Sequence, residues 1–177
     1  SLTNFDFKKG DFFVAIGRLT KQKNFVFLIR CFNKIIKKDP NIKLIIIGVG
    51  EEKSKIKNMI KSYNLNDNIK LIGYQKNVFK FLKNSKAFIL SSLWEDPGFV
   101  LIEAMASDCL VLSSDCPNGP KEILEQKNGL LFKNNSETDF ILKFNNLIKF
   151  SDLEKKRLKF NAKNKIKKYS IFYHYKK

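Results

Sequence analysis

The feature that most limits what this chain can become is a series of short apolar runs, each ending in glycine or serine and each followed by helical periodicity. Phe12–Ile16 ends at Gly17, Lys43–Ile47 (KLIII) at Gly48, Ile69–Ile72 at Gly73, Ala87–Leu90 at Ser91, and Leu110–Ser113 runs on to Asp115. Between them, Asn24–Lys38 carries Phe25, Leu28, Ile29, Phe32, Ile35 and Ile36 at helical spacing and stops at Asp39-Pro40. Glu51–Tyr63 is amphipathic through Ile56, Met59 and Ile60; a short helix over Val78–Leu82 and another at Phe99–Ala106 follow. Strands that are apolar on both faces need a parallel sheet covered on both sides. Right-handed crossovers then give an α/β class, a Rossmann-like doubly wound parallel sheet. In such sheets ligands sit outside the carboxyl ends of the strands, which places Gly17-Arg18, Gly48-Val49-Gly50, Gly73-Tyr74, Ser91-Ser92 and Asp115 along one edge. A turn at 117–120, a short helix at Lys121–Glu125, an apolar segment at 129–132 and helices over Glu137–Phe150 and Asp152–Tyr169 complete the chain. No repeat or linker divides it, so residues 1–177 read as one domain.

Composition removes several alternatives. At 177 residues and 44% hydrophobic, the chain is too apolar to be disordered and long enough for its own core. No apolar run approaches the length of a membrane span. Ser1-Leu2-Thr3-Asn4 is no signal peptide, and the missing initiator Met points to a fragment of a longer protein. Three cysteines, Cys31, Cys109 and Cys116, lack CxxC spacing and fit reduced thiols of a cytoplasmic protein. The net charge of +17 invites a nucleic-acid reading. Only three of the basic residues are arginine, however, and the lysines are spread over every segment, so the chain is read as binding no nucleic acid. Lysines concentrate at Lys155, Lys156, Lys159, Lys163, Lys165, Lys167 and Lys168. A solvated helix face is the preferred reading there, with peripheral contact at the cytoplasmic face of the inner membrane as the alternative.

Chemistry concentrates in two places. In Phe99–Ala106 (FVLIEAMA) the single charge, Glu103, must find partners or accept from a ligand, because a buried carboxylate is costly unless hydrogen-bonded. A structural ion pair or cap and a ligand diol both satisfy that need. Glu95 lies eight residues earlier beside Gly98, and a glycine there lets a ligand reach a helix N-terminus suited to phosphate. The second place is Gly17–Asn24, where Arg18 leaves the first strand and Lys23 opens the next helix, two cations suited to a diphosphate. Gly48-Val49-Gly50 lacks the third glycine of a dinucleotide fingerprint. The single histidine, His174, sits in an aromatic tail with Tyr169, Phe172, Tyr173 and Tyr175 and is not read as catalytic.

Taken together, Gly17-Arg18-Leu19 with Lys23, Ile46-Ile47-Gly48-Val49-Gly50-Glu51, Leu71-Ile72-Gly73, Ser92, and Glu95 followed by Glu103-Ala104-Met105-Ala106 resemble the C-terminal domain of glycosyltransferase family 4, from about residue 11 to 169. The resemblance implies one half of a GT-B fold and a retaining transferase that uses a nucleotide-diphosphate sugar, with a UDP-sugar favoured. It implies that Arg18 and Lys23 bind the diphosphate, that Glu95 faces the donor sugar, and that Glu103 holds the ribose hydroxyls. The Phe99 and Val100 amides would meet phosphate, with Gly17, Gly48 and Gly98 lining the donor site and Tyr74 and Gln75 flanking the base. No metal or other cofactor is expected. The acceptor, a polysaccharide, lipooligosaccharide or lipid-linked glycan, would be bound by an N-terminal domain that this chain lacks, so the fragment is expected to turn over little alone. Asp96-Pro97 departs from the more common Gly-Phe, and Ser91 stands where proline is frequent; Trp94–Gly98 and Cys116–Pro120 are similar to a subset of bacterial surface-polysaccharide transferases. Rival readings are a GT-B sugar-nucleotide epimerase and a basic nucleic-acid module; a response-regulator-like domain is disfavoured because no acidic cluster ends the first strand.

Overall fold

A computed structural model describes residues 7–125 and 127–174, with the side chains of 168–174 outside the description. Six strands form it: β1 (Phe12–Ile16), β2 (Lys43–Ile47), β3 (Ile69–Leu71), β4 (Phe88–Leu90), β5 (Val111–Asp115) and β6 (Leu130–Lys133). They alternate with α1 (Phe25–Ile36), α2 (Lys53–Ser62), α3 (Phe79–Asn84), α4 (Phe99–Ala106) and α5 (Pro120–Leu124), then α6 (Glu137–Lys149) and α7 (Asp152–His174). All pairings are parallel and the order is β3-β2-β1-β4-β5-β6, a doubly wound Rossmann-like sheet as the alternating apolar runs require. Phe12 to Ile16 pair in register with Lys43 to Ile47, while β1 meets β4 only at Val14 and Phe88, so strand order reverses beside β1.

Because successive side chains alternate across a strand, each strand supplies both faces. Phe13, Ala15, Leu44, Ile46, Ile89 and Leu112 pack under α1, α2 and α6; Phe12, Val14, Ile45, Ile47, Phe88 and Val111 pack under α3, α4, α5 and α7. Phenylalanines fill the first layer, with Phe13 and Phe144 rings 4.7 Å apart and Phe132 edge-on to Phe140 at 5.0 Å.

Local departures from the expected boundaries have local causes. Lys23 does not open α1: Lys21–Lys23 form a 3-10 turn, and Asn24 adopts a left-handed conformation (φ 52°) before the helix begins. The helix expected from Glu51 begins at Lys53, because the Glu52 amide donates to the Leu19 carbonyl (2.9 Å) and ties the β2 loop to the β1 loop. The third helix is shifted to Phe79–Asn84, and α7 runs on as helix past Tyr169 to His174. Among the described residues, no helix is long and apolar enough to cross a membrane.

Candidate functional site at the carboxyl edge

Two loops meet where strand order reverses. The first, leaving β1, is pressed against the loop after β2: Leu19 N–H donates to the Val49 carbonyl (2.8 Å), and a methyl group at Gly48 would stand 1.9 Å from the Gly17 carbonyl oxygen. Only glycine fits that approach, and Gly48 also takes φ 154°. The Gly48 amide in turn donates to Gly73 after β3 (2.9 Å), so Gly17, Gly48 and Gly73 follow one another along the sheet edge.

The second loop, leaving β4, is held by other segments through its carbonyls. Ser114 Oγ donates to Ser92 O (2.7 Å), Asn134 Nδ2 to Leu93 O (2.9 Å) and Gln22 Nε2 to Trp94 O (3.0 Å). Leu93 N–H donates to Gln22 O (2.8 Å) and Ser91 Oγ to Lys23 O (2.8 Å), which joins this loop to the one carrying Lys23. The Glu95 amide donates to Pro117 O (3.0 Å). Three consecutive carbonyls restrained from three segments leave the Glu95 backbone little freedom.

The side chains then converge. Lys23 Nζ donates to Glu95 Oε1 at 2.6 Å, and Ser92 Oγ donates to the same oxygen. Glu95 is 3% exposed, so it, rather than Glu103, is the deeply buried acid of the two. Oε2 accepts no hydrogen bond among the described residues, and the Lys23 ammonium has N–H groups beyond the one used. Lys23 is therefore not a cation free for a ligand alone; it compensates a buried carboxylate first.

Glu103, on α4, is half-buried and its carboxylate makes no hydrogen bond or ion pair among the described residues; of the two ways to satisfy it read from the sequence, the structural partner is not the one found. Burial pushes its carboxyl above the ordinary range. Its helix opens at Gly98 (φ 78°), followed by an exposed Phe99 and a half-buried Val100 whose amides lie in the first turn, where no intrahelical acceptor exists. Arg18 is exposed and unpaired among the described residues. Tyr74 is exposed, and Gln75 Nε2 donates back to Ile72 O (3.3 Å).

Lys23, Glu95, Gly17 and Gly98 are thus in one cluster. A methyl on Gly17 would lie 3.2 Å from the Lys23 stem, and one on Gly98 would lie 3.6 Å from Glu95 Cβ. Arg18, Tyr74 and Gln75 follow strands at the same carboxyl edge and Glu103 sits in the second turn of α4, which starts there; none of their side chains hydrogen-bonds to that pair among the described residues. Sequence reasoning missed Gln22, Ser114 and Asn134 as supports of the β4 loop. Ser91 and Ser92 were visible on the edge, but Asn134, 41 residues from its acceptor Leu93, offers no local pattern. Burial pushes the thiols of Cys31 to about 12 and Cys109 to about 11, and raises that of Cys116. His174 and the aromatic tail lie outside the described side chains.

The family described as Glycosyl transferases group 1 matches this chain over residues 4–166. The chain belongs to that family. An uncharacterised glycosyltransferase of Methanocaldococcus jannaschii is 51% identical over 118 residues, covering 67% of this chain and 29% of that protein. The N-acetylgalactosamine-N,N'-diacetylbacillosaminyl-diphospho-undecaprenol 4-alpha-N-acetylgalactosaminyltransferase of Campylobacter jejuni is 31% identical over 160 residues, covering 90% of this chain and 43% of that one. The crystal structure of a point mutant of S. aureus TarM with fondaparinux, alpha-GlcNAc-glycerol and UDP superposes with a TM-score of 0.83 at 31% identity, over 94% of this chain and 34% of that chain. The group 1 domain thus spans less than half the length of these relatives and has the sheet of a GT-B glycosyltransferase.

Proposed function

We propose that this chain is the C-terminal, donor-binding half of a retaining family 4 glycosyltransferase that takes a nucleotide-diphosphate sugar, with UDP as the nucleotide. The observation that carries the reading is the line of chemistry along one edge. It runs from exposed cation Arg18, through the Lys23–Glu95 pair (2.6 Å), to the open first turn of α4 and, one turn on, to Glu103, whose carboxylate has no partner among the described residues. Arg18 and the spare Lys23 donors face the pyrophosphate and stabilise charge on the departing nucleotide, the role a metal fills elsewhere. Phe99 and Val100 amides meet a phosphate at the positive end of α4. Glu103 accepts from the two ribose hydroxyls, Glu95 Oε2 faces a donor-sugar hydroxyl, and Tyr74 with Gln75 flanks the base. The TarM complex, which contains UDP, supports the nucleotide. The name of the Campylobacter relative supports a lipid-linked glycan acceptor, reached through a second domain.

Calorimetric titration with UDP, GDP and ADP, free and as sugar conjugates, tests this. The reading expects UDP to bind best and Glu103→Ala to weaken it about 10- to 100-fold, the cost of a lost charged hydrogen-bond pair. Tight single-stranded DNA binding without any nucleotide preference, or an affinity indifferent to Glu103, overturns it.

A further inference from the structure

The outward face of α7 carries a pattern that the sheet edge does not use. Leu153 is 79% exposed and Phe160 is 67% exposed, seven residues further on and so on the same side of the helix. Lys156, Arg157 and Lys163, all exposed, fall within the same stripe, at about 100° per residue. The two acids of this helix border the stripe, and each has a neighbour of its own. Asp152 is 3.6 Å from Lys155, and Glu154 accepts from the Ser151 amide and hydroxyl at 2.8 and 2.7 Å. The opposite side of α7 accounts for the helix's own packing, through Leu158 and Ala162.

Large apolar side chains gain nothing from water, and two of them flanked by three cations, with the two acids at the stripe's edges, fit a surface that is anionic outside and apolar just beneath. A phosphate backbone alone would use the cations and leave Leu153 and Phe160 unexplained. The patch also lies at the end of the molecule remote from the candidate site. Lys155 and Lys159, one turn apart on α7, line a cavity of about 420 Å³ with Gly10, Asp39 and Lys86, next to the amino ends of the strands. Lys159 stands 3.6 Å from Asp108, just before β5. Docking through this face therefore leaves the carboxyl edge, and any domain that closes over it, unobstructed.

We propose that the Leu153–Phe160 face of α7 docks on an anionic lipid bilayer, with the two apolar side chains entering the headgroup boundary and Lys156, Arg157 and Lys163 held at the lipid phosphates. This goes beyond the donor-site reading and stands independently of it.

Co-sedimentation of the 177-residue chain with vesicles of phosphatidylglycerol in phosphatidylcholine, against phosphatidylcholine alone, decides it. The expected result is binding to the anionic vesicles only, weakened by added salt, and reduced about tenfold by Leu153→Ser with Phe160→Ser. Lys156→Gln with Arg157→Gln and Lys163→Gln gives a comparable loss and stands in if the apolar pair misfolds by circular dichroism. No sedimentation with either vesicle overturns the proposal, as does sedimentation indifferent to both variants. Patch-dependent binding of single-stranded RNA without vesicle binding, or a dimer in sedimentation velocity that the apolar variant disperses, assigns the face to another occupant and overturns it equally.

Discussion

Lys23 and Glu95, 72 positions apart in the chain, meet at 2.6 Å across the point where the sheet reverses its strand order. Each is useful only with the other. Glu95 at 3% exposure is a buried charge that needs compensation, and Lys23 reaches it only because the two loops are stitched together by Gln22, Ser91 and Leu93.

Breaking that pair from one side should be costly. Lys23→Ala leaves Glu95 with Ser92 as its hydroxyl partner and should lower stability by about 3 kcal/mol in urea denaturation. Replacing both partners with apolar groups, as Lys23→Met with Glu95→Leu, should cost less than the single change, because no uncompensated charge remains. A double variant as unstable as Lys23→Ala would show that the ion pair is not what matters there.

Glu103 should show the opposite balance between stability and binding. Burial raises its folded-state pKa above the ordinary 4.5, so the folded protein binds its proton more tightly than the unfolded chain does. The resulting cost is absent below the ordinary value and complete above the raised one. Glu103→Gln should therefore raise Tm at neutral pH, with the gain shrinking as pH falls toward 4.5, while weakening nucleoside diphosphate about tenfold. Scanning calorimetry across pH and a UDP titration read the two effects separately.

Asn134 should act on the β4 loop from a distance. Its amide holds the Leu93 carbonyl at 2.9 Å, and Asn134→Ala should cost about 1 kcal/mol of stability. Hydrogen exchange at the Leu93 and Glu95 amides should accelerate while exchange in α2 stays unchanged.

The Arg30–Glu137–Lys34 cluster joins α1 to α6 at 2.8 and 2.6 Å. Hydrogen bonds from Lys34 and then Arg30 hold the Glu137 carboxyl below its ordinary 4.5. A lowered folded-state pKa contributes stability above the ordinary value and loses it as pH falls through the lowered one. Glu137→Gln should lower Tm slightly at pH 7, the loss of stability being no more than about 1 kcal/mol for so exposed a cluster. The wild-type advantage should vanish on acidification well below 4.5.

Phe140 touches Phe27, Phe32, Phe132 and Phe144 in the layer under α1 and α6. Phe140→Ala should cost about 3 to 5 kcal/mol by denaturation, whereas Leu142→Ala, two residues on and 55% exposed, should be near neutral.

How far the sequence can be read differs between fold and site. Runs such as FFVAI and the Leu44–Ile47 part of KLIII, apolar at every position and each followed by helical periodicity, already point to a two-sided parallel sheet, which buries both faces. Glycines at the strand ends mark the close approach of loops, and Gly48 shows why: its Cβ position is filled by the Gly17 carbonyl. Local periodicity therefore determined the layers and the edge at which the loops carrying Lys23 and Glu95 emerge. What it could not determine is pairing between distant side chains. Nothing around residue 23 announces a partner at residue 95, and nothing around Asn134 announces Leu93, because those contacts arise only when loops from different strands are brought side by side. The tertiary structure alone decided that Glu95 is the buried, compensated acid and Glu103 the open one, since burial depends on which neighbours cover a side chain and not on its place in the chain.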